Sequence, residues 1–232
     1  MEKEIITADY NGHKIIADIL PAGSTPQVFC MHGAGNSSRK TYDSLRQLLA
    51  QNSVSSCALD FFGHGETGGD IKESSLKSRT EQAEAIIEKA KTTNPLTIIA
   101  GSMAAYNAIK LTEIYPVSSL VLVAPAIYSK DAYKVPFGEK FTSMIRVSGS
   151  WDNTDAWDIL SRFNGKIIIL AGGKDDVVSP EVTQKIYDSS TQASHREIIN
   201  FPNAPHKISS DYFREHPEDL EMVVDKIVTL LK

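Results

Sequence analysis

Two stretches near the start, residues 4–8 and 14–20, alternate or run apolar on either side of Asn11-Gly12. That dipeptide suits two-residue hairpin turns, so an opening antiparallel hairpin is expected. Beyond it the pattern changes. Apolar runs at residues 28–31, 54–60, 96–100, 120–124, 167–171 and 196–200 show no clear alternation, which is how strands covered on both faces read. Between the runs, apolar positions recur at helical spacing, as in Tyr42, Leu45, Leu48 and Leu49, or Ala83, Ile86, Ile87 and Ala90. Strands alternating with helices imply an α/β fold with a mostly parallel central sheet and helices on both faces. A last helix is expected from Pro217, with Leu220, Val223, Val224, Ile227, Leu230 and Leu231 turned inward.

The rhythm breaks once. About forty residues separate Ala124 from Ile167, more than a simple crossover needs, and they hold Phe137, Phe141, Met144, Trp151 and Trp157. The length and aromatic content predict a small cap at about residues 126–165, inserted in a single domain spanning 1–232. Plain core packing is the alternative, because aromatic side chains are mainly core residues.

Composition narrows the class. A chain of 232 residues, 41% hydrophobic and 23% charged, reads as soluble and globular. The net charge of −5 and the interspersed Lys and Arg leave no basic stripe, so nucleic acid is excluded as a partner. The opening MEKEIITADY is charged and lacks a signal-peptide core, and no stretch is long enough to span a bilayer. A cytoplasmic protein with no membrane span is expected. Cys30 and Cys57 fall in apolar runs and are expected as buried thiols rather than nucleophiles, metal ligands or a disulfide.

Candidate chemistry gathers where apolar runs end. Ser102 stands between a β-branched run and Ala-rich helical sequence, with Ala100 and Ala104 two residues to either side. A cramped strand-to-helix turn requires small residues at those places, although its usual spelling is G-x-S-x-G. Residues 32–38, HGAGNSS, form a glycine-rich loop able to point backbone N–H groups at developing negative charge. Neither a P-loop lysine nor G-x-G-x-x-G is present, which disfavours a nucleotide site. Asp60 and His64 share another such turn; loop shaping is the expected role there, rather than metal binding, and His64 and Glu66 are expected to be architectural or at a rim.

Asp175 and Asp176 follow the run at 167–171, ahead of a helix for which Ser179 is the expected N-cap. Asp175 is the better candidate for an inward role, because Val177 and Val178 must turn back toward the core. His206 lies in the loop after the last strand. Of the other histidines, His13 is in the hairpin, His32 and His64 are in glycine turns, His195 opens a strand and His216 abuts the last helix.

The order Ser102, Asp175, His206, each after a separate strand, resembles the triad order of the α/β-hydrolase fold superfamily, in its serine esterase or lipase-like form with a small cap. The resemblance rests also on H-G-x-G at residues 32–35, D-x-x-G-H-G-x-T at 60–67 and G-x-x-D at 172–175, and it covers the whole chain. It implies Ser102 as nucleophile, His206 as base and Asp175 as its partner, with the amides of Ala34 and Met103 as oxyanion donors. No cofactor and no metal are required. The implied reaction is hydrolysis of a small-molecule carboxylic ester with a small, medium or aromatic acyl group, with His32, Phe137, Phe141, Trp151 and Trp157 contacting substrate. Thioesterase, lysophospholipase and C–C hydrolase activities occur on the same fold. A hydrolase-like ligand-binding module without turnover is the rival class, favoured by the alanine-flanked elbow, and a homodimer is left open.

Overall fold

The computed structural model describes residues 2–231. The chain opens with the hairpin β1 (Glu4–Tyr10) and β2 (His13–Leu20), and Asn11 and Gly12 both take left-handed φ values, 49° and 80°. Two such residues in a two-residue loop give a turn whose twist matches that of the flanking strands. Then follow β3 (Val28–Met31), β4 (Ser56–Asp60), β5 (Leu96–Gly101), β6 (Val117–Val123), β7 (Lys166–Gly172) and β8 (His195–Phe201). They form one eight-stranded sheet in the order β1-β2-β4-β3-β5-β6-β7-β8. Pairing is antiparallel from β1 through β2 to β4 and parallel from there to β8.

The apolar runs lack alternation because alternate residues enter different cores. Phe29 and Met31 of β3 face one layer while Val28 and Cys30 face the other; Ile98 and Ala100 of β5 face the first and Ile99 the second. The first layer holds α2 (Leu76–Ala90), α3 (Ala104–Leu111), α5 (Ala156–Arg162) and α6 (Pro180–Ser189). The second holds α1 (Asp43–Gln51) and α8 (Pro217–Leu230). Each Leu or Ile fully buried in these layers contributes about 1.5–3 kcal/mol.

Several boundaries differ from the sequence pattern for local reasons. β4 starts at Ser56 because the Val54 N–H is used by the Leu49 carbonyl, closing the turn after α1. β6 begins earlier, at Val117, where Thr97 and Ser118 hydroxyls meet across the strands at 3.3 Å, and it stops before Ala124, whose φ is 44°. On α8, Leu220, Val223, Val224 and Ile227 are buried, whereas Leu230 and Leu231 are only half-buried. They lie at the helix end, where Lys166 Nζ takes the Leu230 carbonyl at 2.8 Å.

The stretch between β6 and β7 carries α4 (Glu139–Ile145) and α5. Phe137 and Phe141 are buried edge-to-face, their centroids 4.9 Å apart, and Tyr128 lies 5.8 Å from Phe141. Trp151 and Trp157 stack edge-to-face at 6.0 Å, half-buried against the same core. A short α7 (Phe213–Glu215) precedes α8. Among the described residues no helix is long and apolar enough to cross a membrane.

The chain passes from β3 outward to β4 and then returns to β5 on the other side of β3. At that reversal the loops beyond the carboxyl ends of β3 and β5 diverge and leave a crevice, the place where open α/β sheets bind ligands.

Candidate active site

Ser102 stands at the end of β5 with φ 48°, in the left-handed region. A non-glycine residue held there costs on the order of 1–3 kcal/mol and persists only when its surroundings fix it. Three backbone bonds do so: Ser102 N–H donates to the Val123 carbonyl at 2.9 Å, and the Ser102 carbonyl accepts from Ala105 and Ala126 at 3.0 and 3.1 Å. Ala100 and Ala104 are fully buried and compatible with this turn. The steric demand falls elsewhere. A Cβ on Gly101 would lie 2.5 Å from the Tyr42 hydroxyl oxygen, and one on Gly33 would lie 3.0 Å from the Ser102 Cβ.

Asp175 follows β7, and the loop carrying His206 closes directly over the turn. The Gly173 and Lys174 amides donate to the Phe201 and Ala204 carbonyls at 2.8 and 3.0 Å. Closure at this range needs glycine, since a Cβ on Gly172 or Gly173 would come within 2.5 Å of the Ala204 or Pro202 carbonyl oxygen. Asp175 Oδ1 accepts from the Val177 and Val178 amides at 2.9 and 3.0 Å, which aims Oδ2 at His206 Nδ1, 2.9 Å away. His206 Nε2 lies 2.9 Å from Ser102 Oγ. The three residues the sequence order singled out therefore meet in one hydrogen-bonded line. Burial works to raise the Asp175 carboxyl, but the hydrogen bonds from His206, Val178 and Val177 outweigh it and hold the group below its ordinary value. As a carboxylate it accepts Nδ1–H, leaving Nε2 free to accept the serine proton. The inward turn of the next residues is half as expected: Val178 is buried, while Val177 is exposed.

A cavity of about 190 Å³ adjoins Ser102, lined by loop residues 33–37, Thr41, Tyr42 and residues 206–210. Among the described residues the amides of Ala34 and Met103 donate no hydrogen bond, so both are available to an incoming oxygen. A hydroxyl activated by an oriented imidazole, beside free N–H donors, is an arrangement able to open an acyl bond through a covalent intermediate.

Other expected contacts are placed differently. His32 is fully buried and does not line the cavity beside Ser102. Its Nε2 accepts from the Phe61 amide at 3.1 Å, so Nδ1 carries the proton and donates to the Gly33 carbonyl at 2.8 Å. Burial, with Arg79 and His64 adding to it, pushes its pKa well below the histidine range. His32 therefore shapes the loop instead of contacting substrate. Phe137, Phe141, Trp151 and Trp157 also lie off the cavity lining: the two Phe rings are buried in the core beneath the stretch between β6 and β7, and the two Trp rings pack half-buried against it. Asp60 is a loop anchor: it accepts from the Arg39 guanidinium, the Arg39 amide at 2.7 Å and the Glu66 amide at 2.9 Å. The Glu66 side chain pairs with Arg39 at 2.9 Å. His64 is buried, its pKa lowered to about 4 by burial and then by Arg79.

Sequence reasoning missed Arg79, a fully buried cation whose Nη2 donates to the Gly33 carbonyl at 3.1 Å. A signal was present. Arg79 sits three residues after Leu76 and four before Ala83, on the apolar stripe of α2, where a charge has to have a reason.

Sheet, crevice and site together define an α/β-hydrolase enzyme. The sequence matches the family Hydrolase_4, serine aminopeptidase, S33, over residues 24–151, and the chain belongs to that family. Solved structures with the same fold include an esterase of Pyrococcus furiosus, 20% identical with a TM-score of 0.72, over 99% of this chain and 91% of that one. A monoacylglycerol lipase of Paleococcus ferrophilus is 17% identical with a TM-score of 0.72, over 93% and 99%. Est1E of Butyrivibrio proteoclasticus, with ferulic acid bound, is 17% identical with a TM-score of 0.72, over 97% of each chain. No curated protein sequence matches the chain.

Proposed function

We propose that the protein is a serine esterase cleaving carboxylic esters with a small acyl group through an acyl-enzyme on Ser102. The observation that carries this is His206, whose ring bridges Ser102 Oγ and Asp175 Oδ2 at 2.9 Å each. Ser102 Oγ attacks the acyl carbon as His206 Nε2 takes its proton. The tetrahedral oxygen receives the Ala34 and Met103 amides, and the alcohol leaves with the proton from His206. Water then repeats the sequence to release the acid. Asp175 holds the imidazole in its Nδ1–H form and stabilises the imidazolium.

The cavity supports a small substrate portion with polar groups: Asn36, Ser37, Thr41 and Ser210 are among its lining residues. The family description names aminopeptidases. Lys207 is the one Lys, Arg, Asp or Glu of the lining, and its cation repels an α-ammonium group and favours an ester over a peptide N-terminus. The same reading takes residues 126–165 as a small cap on one hydrolase domain. It is supported by the bond from the Ala126 amide to the Ser102 carbonyl, which starts the segment at the elbow itself.

Replacing Ser102 by Ala is expected to abolish hydrolysis of p-nitrophenyl acetate and to prevent labelling by a fluorophosphonate that modifies the wild type. Equal labelling of both proteins would remove Ser102 from the mechanism. Wild-type protein without burst or turnover on any short-chain ester would favour the ligand-binding module.

A further inference from the structure

Arg79 occupies the interior without a counter-charge. It is fully buried on α2, and burial lowers its pKa to about 10, with Tyr128 opposing, so it remains a cation at neutral pH. Leaving a buried charge without a carboxylate costs several kcal/mol as a rule, which asks what the charge does. Its hydrogen bonds can be accounted for atom by atom. Nη2 has two protons, one directed at the Gly33 carbonyl at 3.1 Å and the other at His64 Nε2 at 3.3 Å. Nε and Nη1 have no hydrogen-bond partner. The guanidinium lies over the Phe61 ring at 4.5 Å and the Phe137 ring at 5.6 Å, which gives the cation two aromatic faces in place of an anion.

The Gly33 carbonyl is the informative end. It accepts from Arg79 and also from His32 Nδ1, so its position is fixed from two directions. The only cis peptide bond among the described residues is Asn94–Pro95, so the bond from Gly33 to Ala34 is trans. In a trans peptide the carbonyl and the following N–H point to opposite sides of one rigid plane. A carbonyl drawn toward α2 therefore turns the Ala34 N–H away from α2, toward the side where Ala34 and Ser102 share the cavity. A cation beside the carbonyl oxygen also draws electron density through the amide and makes that N–H a stronger donor.

We infer that Arg79 is a positioning residue for the reaction: held by His64 and two aromatic faces, it fixes and polarises the peptide whose Ala34 N–H receives the developing oxyanion. This rests on the reading of Ser102 as nucleophile. His64 thereby gains a role as well, since its Nε2 takes the second Nη2 proton and keeps the fork turned toward Gly33.

The test compares Arg79→Lys, Arg79→Gln and Arg79→Met with wild type on p-nitrophenyl acetate, after circular dichroism and melting have shown which variants fold. One reading gives kcat and KM separately, and a second gives the inhibition constant of a trifluoromethyl ketone, which forms an anionic tetrahedral adduct on the serine. Expected is a fall in kcat of about 10- to 100-fold for Met and Gln, with KM within about twofold and inhibitor binding weakened by the same factor as kcat. Lys, which restores charge and donor, should recover most of the loss. An unchanged kcat in a folded uncharged variant, a loss carried by KM alone, or failure of both uncharged variants to fold overturns the inference. Wild-type protein that is inactive, or a Ser102→Ala variant that retains activity, overturns the esterase reading instead.

Discussion

At the scale of single residues, the site depends on the two oxygens of one carboxylate having separate tasks. Asp175 has an oxygen for the Val177 and Val178 amides and an oxygen for His206. Asp175→Asn preserves the size of the side chain but can present an amide donor to Nδ1, which then must give up its proton and leaves Nε2–H facing Ser102. That tautomer cannot accept the serine proton. The variant is expected to fold normally and to lose about 10⁴-fold in kcat at neutral pH, as the corresponding change does in a serine protease; stopped-flow measurement of the acylation burst reads this directly. Ser102, Asp175 and His206 were legible in the sequence because each stands just past a buried strand, where the fold brings loops together. The position of Arg79 on an apolar stripe was visible, but its task and the true place of His32 were not, since each depends on a backbone partner distant in sequence: the Gly33 carbonyl for one, the Phe61 amide for the other.

At the scale of elements, β7, β8 and the loops that follow them act as one clasp. The Gly172 and Gly173 backbones sit against the Pro202 to Pro205 backbone so closely that no side chain fits between. Gly172→Ala is expected to push the histidine loop outward. Stability should fall by about 1–3 kcal/mol, as for other overpacked sites, and kcat/KM by at least about tenfold because a displacement of an ångström is enough to break the alignment. Urea denaturation and steady-state kinetics on the same preparation separate the two effects, and a variant with wild-type activity would show that the clasp is looser than its geometry. The strands themselves were readable from apolar runs, and their ends were not, because ends are set by backbone partners such as the Leu49 carbonyl before β4. The aromatic residues of the stretch between β6 and β7 show the opposite limit: their abundance is visible in the sequence, but the direction they face is decided by packing.

At the scale of the whole molecule, acid should be the weak side. His32 and His64 are kept neutral by burial and then by Arg79, with pKa values well below the usual range and about 4, respectively. In the unfolded chain both accept a proton near pH 6.5. Below that pH the unfolded state binds protons the native state refuses, so stability is constant above about pH 7 and declines as pH falls from about 6.5 toward 4. Asp175 adds to the decline at lower pH, because its native carboxyl sits below its ordinary value and the stability it contributes is lost as pH falls through that depressed value. Denaturant melts at pH 7.5 and 4.5 should differ by about 2–5 kcal/mol; a flat profile would contradict the neutral, buried state of the two rings.

The opening hairpin is more than an edge of the sheet. Asp18 of β2, buried, pairs with Arg39 Nε at 2.8 Å and with Arg46 Nη1 at 2.6 Å, and Arg39 in turn grips Asp60. A chain trimmed to begin after Leu20 would strip both guanidinium groups of a shared anion in the interior and slacken the segment leading out of the HGAG loop. Engineers seeking a minimal hydrolase scaffold from this protein should therefore shorten it elsewhere.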